Sequence, residues 1–144
     1  MKKLARDVMT ANPACCSGNA TLDQVAQLMA QYDCGEIPVV NGSDQPIGVI
    51  TDRDIVCRVV AKGMNPMAHT AEQYMSRPVV TVRTDAPLND VLSTMERHQI
   101  RRVPVIDEQG CCAGMIAQAD VARVGQEHDV AELVREVSRD ARGV

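Results

Sequence analysis

Residues 48–54 combine, in one short segment, the residue types that could bind a phosphorylated ligand. A buried strand is predicted to end at Ile50, so that Thr51 begins the turn into a helix. The Thr51 hydroxyl and the N–H groups of the first helical turn would face the same space, which suits an anionic oxygen. Asp54 follows one helical turn later on the same side, where its carboxylate can accept two hydrogen bonds from a vicinal diol such as ribose.

The same two residues also fit a purely structural role. A threonine and an aspartate at this spacing often cap the N-terminus of a helix, and for one isolated copy capping is the better interpretation. This pair does not identify a site by itself.

The chain repeats its pattern at a constant offset of 66 residues. The offset relates Pro38 to Pro104, Gly48 to Gly114, Asp54 to Asp120, Met9 to Met75 and Met29 to Met95. A repeat of this length is one small βαββα unit, too small to bury a good core alone, so two copies should pack face to face and leave clefts. We therefore predict an α+β fold of two βαββα repeats with pseudo-twofold symmetry, forming one compact module.

Hydrophobic periodicity predicts the elements that would position these residues. Helices are predicted at 22–31, 52–63 and from residues 88 and 118, with strands around 15–16 and at 37–40, 47–51, 79–82, 103–106 and 114–117. The predicted domains are a first repeat with its lead-in (1–63), a linker (64–71), a second repeat (72–125) and a C-terminal amphipathic helix and tail (126–144). The apolar stripe of that last helix, which needs a partner within the chain or in another subunit, is Val130, Leu133, Val134 and Val137.

The composition argues against several classes of function. The chain contains two tyrosines and lacks Phe and Trp, so no aromatic platform for single-stranded bases is expected. A net charge of -4 without a basic run argues against a nucleic-acid partner. Nothing resembles a signal peptide or an apolar span, so we expect a cytoplasmic protein without a membrane partner.

The cysteines and histidines give weak signals for metal or redox chemistry. Six cysteines without an export signal are expected to be reduced thiols. The adjacent pairs Cys15-Cys16 and Cys111-Cys112 lack the C-x-x-C spacing of a metal site, and the three histidines lack helical metal-pair spacing, so no metal is expected. A thiol sensor using Cys15, Cys16 or Cys34 stays open. Motifs for hydrolysis or a Walker loop are missing, so the sequence does not predict an enzyme.

In duplicate, these motifs resemble the cystathionine-β-synthase (CBS) domain family. The likeness is to a stand-alone tandem pair, or Bateman module, of the bacterial hypoxic-response and stress type. It covers residues 6–124. The segments that carry it are 7–10 with Pro13, 37–40 and 48–54, then 74–76 with Pro78, 98–107 and 114–120.

The resemblance implies a regulatory module that binds an adenosine ligand and senses energy or stress state. The implied ligand is AMP, ADP, ATP or S-adenosylmethionine, and no cofactor is required. Residues implied in nucleotide binding are Thr51 and Arg101 with Arg102 at phosphate, Asp54 and Asp120 at ribose, and Ile37 with Pro38 beside the base. The adjacent arginines suit phosphate because each guanidinium can bind it through two hydrogen bonds. Without the resemblance, a solvated strand edge is the better interpretation of these two arginines. Output would travel by contact, through a homodimer and an unidentified effector protein.

The two copies differ at the positions that matter for this ligand. Ala117 occupies the position of Thr51 and lacks its hydroxyl, and Glu36 occupies the position of Arg102, where it would repel a phosphate. We therefore expect one competent and one degraded cleft. The alternative from another class is a structural interaction module that binds no ligand.

Overall fold

The computed structural model describes residues 3–124 and 135–138, which form two compact units. The first, unit 1, takes its described residues from Met1–Asn12, Val80–Gln109 and Ala113–Val144. The second, unit 2, comprises Pro13–Val79 and Gly110–Cys112. Each unit therefore combines residues from both halves of the sequence.

Short helices and strands follow one another along the chain. They are α1 (Ala5–Val8), β1 (Thr10–Ala11), β2 (Cys16–Ser17), α2 (Leu22–Tyr32), β3 (Glu36–Val40), β4 (Pro46–Thr51), α3 (Asp52–Ile55), α4 (Ala71–Tyr74), β5 (Val82–Arg83), α5 (Leu88–His98), β6 (Arg102–Ile106), β7 (Cys112–Ala117) and α6 (Gln118–Val124). A π-helical segment, Val56–Val60, continues α3, and Pro66–Ala68 form a 3-10 turn. None of the helices in the described ranges is long and apolar enough to cross a membrane.

Each unit has its own sheet and its own apolar core. The sheet of unit 2 has the order β2-β3-β4, and that of unit 1 has the order β1-β7-β6-β5. The largest fully buried side chains of unit 2 are Leu22, Ile37, Ile50, Val25, Val39 and Val59. Those of unit 1 are Met95, Ile116, Val91, Val103 and Val105. The prediction of a mixed helix and strand fold in two repeats is confirmed.

The lead-in segment of each sequence repeat, residues 3–12 in the first repeat and 69–78 in the second, packs in the unit built around the other repeat. In unit 1, the Ala5 N–H donates to the Ala86 carbonyl at 2.8 Å, and β1 pairs with β7. In unit 2, the Ala71 N–H donates to the Ala20 carbonyl at 2.9 Å, the equivalent bond at the 66-residue offset. The compact units therefore do not follow the order of the sequence repeats, whose boundaries stay a prediction.

Gly48 and Gly114 are required by these docked lead-ins. A Cβ on Gly48 would lie 2.5 Å from Met75 Sδ, and a Cβ on Gly114 would lie 2.8 Å from Met9 Cγ. The Ser76 and Thr10 carbonyl oxygens would lie 3.0 and 2.9 Å from these two Cβ atoms, so a larger residue must displace the methionine and also crowds the backbone of the lead-in. The repeated Gly and Met positions in the sequence are therefore two sides of one contact.

Several elements differ in extent from their prediction. Cys15 precedes β2 instead of lying in it, and β5 begins at Val82 because residues 79–81 make no ladder. The helix expected over 52–63 is α3 followed by the π-helical segment. Of the predicted C-terminal stripe, Val130, Leu133 and Val134 lie outside the described residues, whereas Val137 is buried in the core of unit 1.

Candidate functional site

Thr51 and Asp54 are held together by a reciprocal helix cap at the start of α3. The Asp54 N–H donates to Thr51 Oγ1 at 3.1 Å, and the Thr51 N–H donates to Asp54 Oδ2 at 3.0 Å. This is a capping box with aspartate as its second member. The helix-capping interpretation of these two residues is therefore confirmed. The cap fixes both side chains in one orientation.

The cap leaves hydrogen-bonding capacity on both side chains. Thr51 Oγ1 accepts a bond in the cap, so the hydroxyl proton is still available to a ligand oxygen. Asp54 Oδ1 lies 3.7 Å from Arg58 Nη1, which is longer than a hydrogen bond, so this oxygen can still accept from a hydroxyl. One donor and one acceptor therefore remain side by side, and this pair suits a phosphate oxygen next to a diol.

The two residues of β3 that were predicted to lie beside the base of the ligand have buried side chains. In the register of β3 and β4, Ile37 lies opposite Ile50, and Pro38 lies opposite Val49. The Ile37 side chain is fully buried in the core cluster of unit 2, and Pro38 is also buried. Because β3 pairs directly with the strand that ends at Thr51, both residues lie next to the turn.

Arg58 is a residue of this site that the sequence interpretation missed. Its guanidinium donates to the Tyr74 carbonyl at 2.7 Å and lies 5.2 Å from the centre of the Tyr74 ring. The Tyr74 ring is further held by an edge contact with His69, and its hydroxyl donates to Met64 Sδ. The spacing from Asp54 to Arg58 was the available signal, because residues four apart on a helix are neighbours.

The equivalent turn of unit 1, between β7 and α6, has lost part of this capacity. The Ala117 N–H donates to Asp120 Oδ2 at 2.8 Å, which preserves the backbone half of the cap. Asp120 is buried, and its other oxygen accepts a close hydrogen bond from Arg123. No hydroxyl is present at Ala117, so this turn offers a ligand fewer groups than the turn in unit 2.

The two candidate phosphate-binding arginines belong to unit 1. Arg101 is exposed, and its carbonyl accepts from the Gln118 N–H at 2.9 Å. Arg102 is half-buried at the start of β6. The seven predicted site residues therefore divide between the units: Thr51, Asp54, Ile37 and Pro38 lie in unit 2, and Arg101, Arg102 and Asp120 lie in unit 1.

The adjacent cysteines of unit 2 have opposite acid-base properties. A hydrogen bond from the Cys112 side chain lowers the pKa of Cys15, against the opposing effects of burial and of Asp44. Burial, with a smaller contribution from Cys15, raises the pKa of Cys16 to about 11. Within the residues that the structure describes, no group of three or more His, Cys, Asp or Glu side chains is arranged to hold a metal ion.

Comparisons with known proteins agree over nearly the whole chain. Residues 5–61 and 71–127 each match the family model described as CBS domain. Hypoxic response protein 1 of Mycobacterium tuberculosis is 37% identical over 133 residues, which cover 92% of this chain and 92% of that protein.

Two solved structures extend the likeness to the fold. The crystal structure of Hypoxic Response Protein I with two coordinated zinc ions has a TM-score of 0.78 at 37% identity and covers 86% of this chain and 100% of that one. The CBS domain pair of protein MJ0100, solved with 5′-methylthioadenosine and S-adenosyl-L-methionine, has a TM-score of 0.76 at 25% identity and covers 86% of this chain and 96% of that one. Sequence and fold therefore agree on both repeats.

Proposed function

The chain belongs to the CBS domain family, and we propose that it is a regulatory module that binds an adenosine ligand through the turn between β4 and α3. The observation that carries this proposal is the pair of hydrogen-bonding groups that the helix cap leaves over. The Thr51 hydroxyl is a donor for phosphate, and Asp54 Oδ1 is an acceptor for ribose. The cap orients both groups in advance, which lowers the entropy lost on binding.

The proposed contacts are of two kinds: some recognise the ribose that all the candidate ligands share, and others recognise the phosphate that only the nucleotides carry. Asp54 binds the ribose diol, which AMP, ADP, ATP and S-adenosylmethionine all contain. Thr51 is the candidate phosphate contact of unit 2, and Arg101 with Arg102 are the candidate phosphate contacts of unit 1. S-adenosylmethionine and 5′-methylthioadenosine lack phosphate. The main chain of β3 at Ile37 and Pro38, whose side chains are buried, runs beside the base. Asp120 provides a weaker ribose contact in unit 1. The protein acts through contacts with other proteins and not through catalysis.

A thermal-shift panel tests the proposal and identifies the ligand class. AMP, ADP, ATP, adenosine, S-adenosylmethionine and 5′-methylthioadenosine are compared with buffer, with Zn²⁺ as a further arm because a relative was solved with zinc. A ligand at a hundred times its Kd stabilises the folded state by about 2.7 kcal/mol, which raises the melting temperature by several degrees. At least one adenosine compound should give this shift.

Arg102→Ala, with the exposed Arg53→Ala as its matched control, assigns the phosphate contact. Arg102→Ala should weaken the nucleotides that bind the parent protein and leave adenosine unchanged, whereas Arg53→Ala should change neither. Equal weakening of nucleotide and adenosine would remove Arg102 from the phosphate site. No shift with any adenosine compound would overturn the proposed function.

The reciprocal cap favours a second candidate, a structural module that binds no ligand. Thr51 and Asp54 already satisfy each other's backbone groups, so their presence is explained by folding alone. In that case all adenosine compounds fail in the panel, while Thr51→Ala still destabilises the fold. The two candidates thus give opposite results with the same protein.

We also propose that the protein is a homodimer. Val56 and Val60 are more than half exposed, and their spacing of four places them on one face of the π-helical segment. Such an apolar face gains from burial against a second copy. Light scattering should give twice the mass of one chain. The double variant Val56→Glu, Val60→Glu should give the mass of one chain. A single-chain mass for the parent protein at all concentrations would refute the dimer.

The effector protein and the cytoplasmic location stay predictions from the sequence.

A further inference from the structure

Two cysteines far apart in the sequence meet in unit 2, beside the turn formed by residues 41–45. The Cys112 N–H donates to the Asp44 carbonyl at 2.9 Å, and Cys111 Sγ donates to the Ser43 carbonyl at 3.2 Å. The turn itself is held by Asn41, whose side-chain oxygen accepts from the Ser43 and Gln45 N–H groups. The segment around Cys112 is therefore held to this turn by one main-chain and one side-chain hydrogen bond.

Cys15 lies next to this segment. Its thiol is half-buried and lies 3.4 Å from the Pro13 carbonyl. The Cys15 and Cys112 side chains are hydrogen-bonded to each other, so their sulfur atoms are neighbours. Two thiols in direct contact need little movement to form a bond.

The surroundings of Cys15 favour it over the adjacent Cys16 as the nucleophile. The hydrogen bond from Cys112 lowers the pKa of Cys15, so more of this thiol is ionised near neutral pH than is usual. Cys16 is buried, and its raised pKa keeps it protonated. Cys57 is exposed on the π-helical segment and provides a thiol for comparison.

We propose that Cys15 and Cys112 form a reversible disulfide within the chain in response to hydroperoxides. Cys15 is the thiol that reacts first, and Cys112 is the thiol that resolves the intermediate. This site does not depend on the proposed adenosine ligand, so either proposal can fail without the other.

The chemistry balances in two steps. The Cys15 thiolate attacks a hydroperoxide ROOH, its sulfur takes the OH group to become a sulfenic acid, and the alkoxide takes up a proton and leaves as ROH. The Cys112 sulfur then attacks the Cys15 sulfur, the S–S bond forms and water leaves. A low-molecular-weight dithiol reverses the reaction by supplying two electrons and two protons.

The bond would join two segments at which the chain enters or leaves unit 2. Pro13 is the first residue of this unit, two positions before Cys15, and Cys112 is followed directly by Ala113 of unit 1. Oxidation therefore closes a long loop of chain, and such closure restricts the unfolded state more than a short loop does. The oxidised protein should melt at a higher temperature than the reduced one.

Thiol counting with hydrogen peroxide as the probe tests the proposal. The reduced chain has six cysteines, and peroxide treatment should remove two thiols, which dithiothreitol should restore. The variants Cys15→Ser and Cys112→Ser should not lose a pair of thiols under peroxide. The matched controls Cys57→Ser and Cys111→Ser should still lose two thiols. Circular dichroism establishes that each variant is folded.

A second measurement separates reactivity from bond formation. Cys112→Ser keeps a hydroxyl donor beside Cys15, so the Cys15 sulfenic acid should accumulate and react with dimedone. Cys112→Ala removes the donor, so alkylation of Cys15 by iodoacetamide at neutral pH should slow several-fold relative to Cys112→Ser. The proposal is overturned if the parent chain keeps all its thiols, if Cys112→Ser still loses a pair, or if the disulfide joins two chains on a non-reducing gel.

Discussion

The two strand-to-helix turns have the same backbone plan but differ in the polar atoms that they leave for a ligand. In both, an aspartate carboxylate accepts from the N–H three residues earlier, at 3.0 Å from Thr51 and 2.8 Å from Ala117. Only the turn of unit 2 has the hydroxyl, and its arginine stays at 3.7 Å instead of closing on the carboxylate. Helix capping alone explains the aspartate in both turns, so the proposed ligand binding rests on the Thr51 hydroxyl and on the open carboxylate oxygen of Asp54.

The largest expected difference between the repeats is in their cores. Leu22 and Leu88 both begin a long helix and both donate to a docked lead-in, but Leu22 is fully buried, whereas Leu88 is partly exposed. Leu22→Ala should cost about 3–4 kcal/mol of unfolding free energy and Leu88→Ala about 1–2 kcal/mol. Urea denaturation measures both. Equal costs would show that the two cores tolerate a cavity alike.

The next largest expected loss of stability comes from substituting the glycines beside the lead-ins, where both repeats should respond alike. Gly48→Ala and Gly114→Ala each place a Cβ against a methionine and a carbonyl of the docked lead-in, and each should cost about 1–3 kcal/mol. Gly42→Ala is the control, because nothing lies within 4 Å of its added Cβ. A neutral effect at Gly48 or Gly114 would contradict the packing reason for these glycines.

A smaller effect is expected from exchanging the cap residues. Thr51→Ala removes the hydroxyl that accepts from the Asp54 N–H and should cost about 1 kcal/mol. Ala117→Thr supplies the missing hydroxyl to the other turn and should gain about 0.5 kcal/mol. Thermal unfolding of the two variants measures both changes. A loss of stability in Ala117→Thr would show that the second turn lacks room for a complete cap.

The effect that is smallest at neutral pH, because it appears only in alkaline solution, is on the pH dependence of stability. The pKa of Cys16 is about 11 in the folded chain against 9.0 for an ordinary thiol, so between these pH values the folded state holds more protons than the unfolded state. Stability must then fall as pH rises through this window. Cys16→Val introduces valine, the residue found at the equivalent buried position of the other repeat, Val82. The stability of this variant should fall less over the same pH range. Parallel pH profiles of parent and variant would contradict this assignment.

The parts of the fold that depend on local pattern could be predicted from the sequence. The start of α2 at Thr21 and of α3 at Thr51 follows from cap residues before apolar periodicity, and these helices lie where expected. The turn of Thr51 and Asp54 was found in the same way. Its two interpretations could not be separated, because a cap and a binding turn require the same residues.

The features that the sequence did not predict depend on contacts between distant segments. Each lead-in docks beside the opposite repeat, and no local pattern encodes that exchange. Arg58 gains its role from Tyr74, which arrives with such a lead-in. The contact of Cys15 with Cys112 likewise requires residues 110–112 to join unit 2, although the rest of β7 belongs to unit 1.

Calorimetric titration of Asp54→Ala and Asp120→Ala, with the adenosine compound that gives the largest thermal shift, tests the central claim most directly. Asp54→Ala removes the acceptor for the ribose diol and should cost about 2–3 kcal/mol, or roughly 30- to 150-fold in Kd. Asp120→Ala should cost less, because Arg123 already engages that carboxylate. Equal losses from the two substitutions, or no loss from Asp54→Ala, would contradict a ligand held by the turn of Thr51 and Asp54.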